Sequence, residues 1–183
     1  MEREPHALRP SCANLAATMG DLLRPVTAAD SAEMLRWRND AHVRRHVFEQ
    51  DVIPKDVHSR WLDGMLIDDT KAYFVFEQNG VACGIVGLTE IDRIAGSANW
   101  GFYTAPNAPK GSGTAMLRLA LNHAFGPMGL RRINAEVLGF NTASLHLHDK
   151  LGFVRTGLRQ RHQLGDGTFH DVVLFAKTRA TKT

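Results

Sequence analysis

Apolar and polar positions along this chain change period more than once. Over residues 27–66 the apolar ones recur at three- and four-residue intervals, the signature of helices that bury one face. Ahead of them, residues 21–26 (Asp-Leu-Leu-Arg-Pro-Val) read as a short strand whose proline suits a sheet edge. Thr27 and Asp30 stand at capping distance, and Ala32, Met34, Leu35 and Trp37 line the helix that follows. Residues 39–46 add another turn or two. Pro54 opens a further helix with Val57, Trp61, Leu62, Met65 and Leu66 on one side. From residue 72 the pattern becomes that of strands. Residues 72–77 and 81–91 flank Asn79-Gly80, a hairpin turn, and residues 96–104 supply another antiparallel strand. Helical spacing returns in Ala115, Leu117, Leu119, Ala120, Leu121, Ala124 and Phe125 and stops at Gly126-Pro127. A strand over 133–138 comes next, then a short helix capped by Asn141 and ended by Gly152. A hairpin over 153–164 and 168–177, turning at Asp166-Gly167, completes the order β-α-α-β-β-β-α-β-α-β-β.

Composition adds bounds to that outline. With 183 residues, 44% hydrophobic and 22% charged, the chain has the make-up of one globular domain with a substantial core. We expect that domain to span residues 21–178, with 1–20 a flexible extension and 179–183 a short tail. The formal charge of +3 favours anionic partners without demanding one. No stretch interleaves aromatics with Lys or Arg, so no nucleic-acid face is expected. No apolar run reaches the roughly 18 residues of a membrane span, and the first residues lack the apolar core of a signal peptide. Cys12 and Cys83 form neither a disulfide framework nor a metal-ligand spacing, a usage that suits a reducing cytoplasm and implies no metal.

The stretch with chemistry in it is residues 106–117 (Pro-Asn-Ala-Pro-Lys-Gly-Ser-Gly-Thr-Ala-Met-Leu). It leads from a strand through a glycine-rich turn into an amphipathic helix. Amides at such a helix start have no partner of their own, and the helix dipole adds positive potential behind them. Phosphate is the natural guest. Gly111 and Gly113 carry no Cβ, so an anion can approach the main chain closely.

Downstream lies Asn141-Thr142-Ala143-Ser144-Leu145-His146-Leu147-His148-Asp149-Lys150-Leu151-Gly152-Phe153. This segment is similar to the Asn-x-x-Ala/Ser-x-x-Leu-Tyr-x-Lys-x-Gly-Phe segment of the GNAT acetyltransferases. One helix and one strand separate it from the glycine-rich turn, and over residues 21–178 the chain resembles that family. The resemblance implies a mixed α/β fold: a mostly antiparallel sheet of about seven strands, splayed between the fourth and fifth, with about four helices. It implies acetyl-CoA as donor, its pyrophosphate on the amides of Lys110, Gly111, Ser112, Gly113 and Thr114. Its pantetheine arm would lie along Phe102, Tyr103 and Thr104, with Asn141 and Ser144 also touching it. Two positions depart from the family pattern. Ala108 stands where Arg or Gln usually begins the loop, which leaves Lys110 to supply the charge. His148 stands where a tyrosine commonly protonates the departing thiolate; imidazole, with a reference pKa near 6.5, can take that role or contact the cofactor.

An amine acceptor must shed a proton, so a carboxylate base is expected: Glu136, or Glu90, which alternation puts on one face with Asp92. Within the superfamily the chain resembles the aminosugar N-acetyltransferases of pseudaminic acid synthesis, through Trp37-Arg38-Asn39-Asp40, His58-x-x-Trp61, Gly87-Leu88-Thr89-Glu90-Ile91-Asp92 and Trp100-Gly101-Phe102-Tyr103. That likeness implies a UDP-aminosugar acceptor in a pocket of Arg38, His58, Trp61 and Glu136. Against it stand Trp37 and Trp61 as core residues and His58 as an ordinary surface histidine. The ending Gly167-Thr168-Phe169-His170-Asp171-Val172 is shared with ribosomal-protein N-terminal and spermidine acetyltransferases, which makes a peptide or polyamine the alternative acceptor. A binding module that keeps acetyl-CoA but has lost chemistry is a second alternative. A homodimer is compatible with all of these.

Overall fold

The computed structural model describes residues 20–180, so the expected extension before Gly20, Cys12 with it, and the end of the tail lie outside the described residues. Strands β1 (Leu22–Pro25), β2 (Ala72–Gln78), β3 (Val81–Asp92), β4 (Ser97–Thr104), β5 (Arg132–Leu138), β6 (Val154–Gln163) and β7 (Phe169–Thr178) form the sheet. Helices α1 (Ser31–Arg38), α2 (Ala41–Arg44), α3 (Lys55–Leu66), α4 (Ser112–Phe125) and α5 (Thr142–Lys150) accompany them. The mixed α/β architecture expected from the sequence is present, with five helices in place of about four. The extra one is α2, which stands apart because the Asp40 carboxylate caps it, accepting the His42 amide at 2.8 Å.

Strand order is β1-β2-β3-β4-β5-β7-β6. All neighbouring pairs are antiparallel except β4 with β5, and that parallel pair is cut short. It holds Ser97 to Arg132, Ala98 to Ile133 and Asn99 to Asn134, then ends. Beyond this point β4 stays on β3 up to Thr104, while β5 stays on β7 up to Leu138. The sheet therefore divides into two halves that diverge from Asn99 and Asn134. Among the described residues no strand lies between the facing edges of residues 100–104 and 135–138.

Period-2 alternation sends the strand side chains into two cores. Phe74 and Phe76 of β2 join Met116, Leu117 and Ala120 of α4, Ile133 of β5 and Phe175 of β7 on one face. Val75 and Ile85 meet Met34 and Trp37 of α1 and Leu62 and Met65 of α3 on the other. Trp37 is 1% exposed, as its helical spacing among apolar residues foretold. The α3 face is rotated from the expected one. His58, Leu62 and Met65 are buried, at i, i+4 and i+7, while Val57, Trp61 and Leu66 remain 43%, 38% and 42% exposed. His58 can be buried because the Ser31 hydroxyl lies 3.3 Å from its Nδ1, and desolvation lowers its pKa so that the ring stays neutral.

The edge strand β1 is tied to the turn before α1 by Arg24. Its guanidinium binds Asp30 at 2.7 and 2.9 Å and Glu77 of β2 at 2.6 Å. The Arg24 hydrogen bonds to Asp30, and after them those from the Thr27 amide and hydroxyl, lower the Asp30 pKa from the ordinary 3.8 to about 2. A folded-state pKa below the unfolded one stabilises the protein above the unfolded pKa, and that stability drains away as the pH falls from about 4 to about 2. An Asp30→Asn variant should melt below the parent at pH 6 and converge with it near pH 2. Thermal melts across that range measure the difference, and a constant offset would assign the stabilisation elsewhere.

Candidate active site

A cleft of about 800 Å3 fills the divergence between the half-sheets. β4 from Trp100 to Thr104 forms one wall, and β5 from Ala135 to Leu138 the other. Asn141, Ser144, Leu147 and His148 of α5 and its cap close one side, beside Gly111 and Gly113 at the start of α4. Residues of α2 and of the segment after it, from His42 to Phe48, also line the cleft. Phe48 reaches the far half-sheet, packing against the small core of Leu138, Leu164 and Val172.

The start of α4 is built by Gly111. Its φ of +97° lies in the left-handed region, which reverses the chain so that the next amides head the helix. The Ser112 amide is used by the Pro109 carbonyl at 3.1 Å, and the Ser112 side chain is buried, its hydroxyl donating to Gln78 Oε1 at 3.1 Å. Among the described residues the amides of Gly111, Gly113 and Thr114 have no intrachain acceptor. Lys110 is exposed and does not line the cleft. Ala108 is half-buried, packs against both cores and gives its amide to the Ala105 carbonyl at 3.0 Å. A long polar side chain at that position would have to leave the packing that the alanine methyl occupies.

These features fit acetyl-CoA. Unpartnered amides at the positive end of α4 suit a pyrophosphate, and the open edge of β4 at Phe102, Tyr103 and Thr104 suits an amide-bearing arm. On the α5 side, Asn141 lines the cleft and its Oδ1 accepts the Ser144 amide at 3.1 Å, so the predicted cap is present; its side-chain nitrogen has no acceptor among the described residues. His148 is 1% exposed. Its Nδ1 lies 2.8 Å from the Ser144 carbonyl, and the Trp100 indole N–H donates to its Nε2 at 3.2 Å. His146 is exposed on the other side of the helix.

The two candidate carboxylates differ in setting. Glu136 lines the cleft but is held by Arg159 of β6 in a two-pronged ion pair at 2.7 and 3.1 Å. Glu90 is not on the cleft wall. The β3–β4 register is interrupted by a bulge between Thr89 and Asp92, where Glu90 takes a φ of +50°. Glu90 instead accepts from Asn99 at 2.7 Å, and Asn99 accepts from Asn134 at 3.3 Å, a polar chain across the last paired rung of β4 and β5. Asp92 accepts the amides of Ile94 and Ala95, both at 2.8 Å, and shapes the turn.

The pocket expected from Arg38, His58 and Trp61 is not assembled. None of the three lines the cleft. Arg38 gives Nη2 to the Glu49 carbonyl at 2.6 Å, and His58 is buried under α1. Trp61 packs edge-on to Tyr73 with ring centres 5.3 Å apart. Arg38 thus ties α1 to the segment before α3, His58 joins α3 to α1, and Trp61 packs α3 on β2. In their place the structure brings His42, Arg45, His46 and Phe48 to the cleft, none of which the sequence singled out as a site residue. Their only sequence signal was the Arg and His density around α2.

A family model for the acetyltransferase (GNAT) domain matches residues 22–154, most of the chain. The chain belongs to the GNAT family. It is an N-acetyltransferase with acetyl-CoA as donor. The spermidine N(1)-acetyltransferase of Escherichia coli K12 is 26% identical over 152 residues, 82% of each chain. The spermidine N-acetyltransferase of Vibrio cholerae, solved with CoA and spermine, shares the fold at a TM-score of 0.81 and 24% identity, covering 86% of this chain and 95% of that one. Mycobacterium smegmatis RimJ, solved with CoA-disulfide, superposes at a TM-score of 0.76 with 27% identity, covering 88% and 83%. None of these comparisons indicates the aminosugar enzyme of pseudaminic acid synthesis. Among the described residues no helix is long and apolar enough to cross a membrane, and no three His, Cys, Asp or Glu side chains gather as a metal site.

Proposed function

We propose that this GNAT enzyme acetylates the α-amino group of a peptide or protein. The observation that carries the reading is the charge of the cleft. Among the described residues the only carboxylate lining it is Glu136, already paired with Arg159, while His42, Arg45 and His46 line it too. A polyamine carries several positive charges and would need acidic groups to receive it. An α-amine needs less. Its reference pKa of about 7.7–8.0 leaves roughly a third of it neutral at pH 7.5, whereas a lysine-like amine near 10.4 is only about 0.1% neutral. A site without a free carboxylate base suits the first far better.

The residues then have separable duties. Acetyl-CoA, when bound, supplies an acetyl thioester ready to acylate an amine. The amides of Gly111, Gly113 and Thr114 would hold its pyrophosphate, aided by the α4 dipole. The free edge of β4 at Phe102, Tyr103 and Thr104 would align its arm, and the Asn141 side chain would steady it. An unpaired β4 amide can also stabilise charge gathering on the acyl oxygen. Val137, Leu147 and Phe102 keep this part of the cleft apolar and exclude water.

The spermidine acetyltransferase relatives support a polyamine as a second reading. For a UDP-aminosugar, the third, only Glu136 of the four residues expected in its pocket lines the cleft. Release of CoA thiol, followed with acetyl-CoA and each acceptor in turn, separates them. We expect a peptide with a free α-amine to outpace spermidine and an Nα-blocked lysine peptide by at least about tenfold in kcat/KM, in line with the neutral fractions above, and to outpace UDP-4-amino sugars as well. Faster turnover of spermidine would overturn the assignment.

A further inference from the structure

His148 occupies the position from which the family resemblance would have a proton delivered to the leaving thiol. Its hydrogen bonds assign it a different task. The indole N–H of Trp100 is a donor only, so the Nε2 atom 3.2 Å away must be the acceptor. The Ser144 carbonyl is an acceptor only, so the Nδ1 atom 2.8 Å away must carry the hydrogen. Both nitrogens are thereby committed and the tautomer is fixed. A second proton would have to enter Nε2 against the Trp100 N–H. The one hydrogen the ring does hold is spent within its own helix, and removing it would leave an imidazolate. Neither form is a useful acid near pH 7.

The surroundings agree. The ring stacks on Phe175 of β7, with centres 5.0 Å apart and planes 22° apart. It meets Phe153 edge-on at 5.0 Å and lies 5.8 Å from both Trp100 and Phe102 of β4. The charged groups nearby are Asp149, its neighbour on α5, and Arg155 of β6. Arg155 pairs with Asp149 at 2.8 Å and also lies against the Phe175 ring. Burial outweighs the influence of Asp149 and the Ser144 carbonyl, and lowers the His148 pKa.

Position completes the case. Trp100 is the first β4 residue past the last rung shared with β5. A ring bonded to Trp100 and stacked on Phe175 spans the two half-sheets where they part. We propose that His148 is a positioning residue, a permanently neutral wedge that fixes the separation of β4 from the β5–β7 half-sheet and so shapes the channel for acetyl-CoA. The chemistry tolerates this. Acetyl transfer forms a C–N bond, breaks a C–S bond and moves one proton from nitrogen to sulfur, so the amine's own proton balances the leaving thiol. The inference rests on acetyl transfer but not on which amine is the acceptor.

The test begins with the protein alone. Long-range 1H–15N correlations should show His148 as the Nδ1–H tautomer at every pH from 5.5 to 8.5. In Trp100→Phe, which removes the donor and keeps an aromatic ring, the same imidazole should begin to titrate within that range. A parent ring that titrates between pH 6 and 8, or carries its hydrogen on Nε2, overturns the proposal. Kinetics give the second arm. His148→Phe should raise the KM for acetyl-CoA about fivefold, the worth of one neutral hydrogen bond, with a smaller change in kcat and a pH–rate profile of unchanged shape. A kcat loss of about 100-fold or more, with one limb of the profile gone, would make His148 the acid after all. Should that variant not fold, the resonances of the parent and of Trp100→Phe decide the matter.

Discussion

A Gly111→Val variant is expected to fold and to bind CoA at least about tenfold more weakly than the parent. The expectation comes from backbone conformation, since a Cβ at residue 111 meets nothing within 4 Å. The φ of +97° is the obstacle, because a residue with a Cβ pays about 1–2 kcal/mol in the left-handed region and a β-branched one more. Valine would escape by turning to negative φ. The reversal that presents the amides of Gly111, Gly113 and Thr114 at the head of α4 would then be lost. About 1.4 kcal/mol is already tenfold in affinity, so the strain alone is of the right size. Calorimetric titration with CoA reads the affinity, and a thermal melt confirms that the sheet is intact. Unchanged affinity would show that the turn does not hold the pyrophosphate.

Phe175→Ala carries the largest expected cost in stability. Phe175 is 1% exposed on β7 and belongs to the core beneath α4. Truncating a buried phenylalanine removes its transfer free energy and leaves a cavity, together about 3–5 kcal/mol. For a chain of this length each kcal/mol lowers Tm by about 2–4 °C, so a fall near 10 °C is expected. The same change removes the surface on which the His148 ring stacks. Acetyl-CoA affinity should therefore fall together with stability in this variant. The corresponding Phe76→Ala change, equally buried but on β2, should lower Tm and spare the cofactor. A drop of less than about 3 °C for Phe175→Ala would mean that the surrounding core closes over the gap.

How far the sequence could be read depended on how far away the deciding partner lay. The cap at Asn141, the hairpin at Asn79-Gly80 and the breakpoint at Gly152 involve residues within a few positions of one another, and each is where the pattern put it. The family motifs carried the cleft and the start of α4 as well, because a helix start and a strand end are local features. Glu90 lies off the cleft wall at a bulge with a left-handed residue, a break that alternation along an unbroken strand does not foresee. His58 was misread because polarity predicts exposure unless a partner is supplied, and that partner, Ser31, comes from another helix. The pocket of Arg38, His58 and Trp61 failed for the same reason. Helical spacing placed the three on α1 and α3 but said nothing of which way those helices turn against the sheet.

By itself the sequence determined the order of elements, the glycine-rich helix start and membership of an acetyl-CoA-using family, since these rest on periodicity and on motifs a dozen residues long. Only the tertiary structure decided what the charged and titratable side chains do. It paired Glu136 with Arg159, carried Glu90 off the cleft wall, brought His42, Arg45 and His46 to the cleft, and fixed the tautomer of His148 through an indole 48 positions away. A proton's place is set by the donors and acceptors within about 3 Å of it, and folding chooses those from every part of the chain.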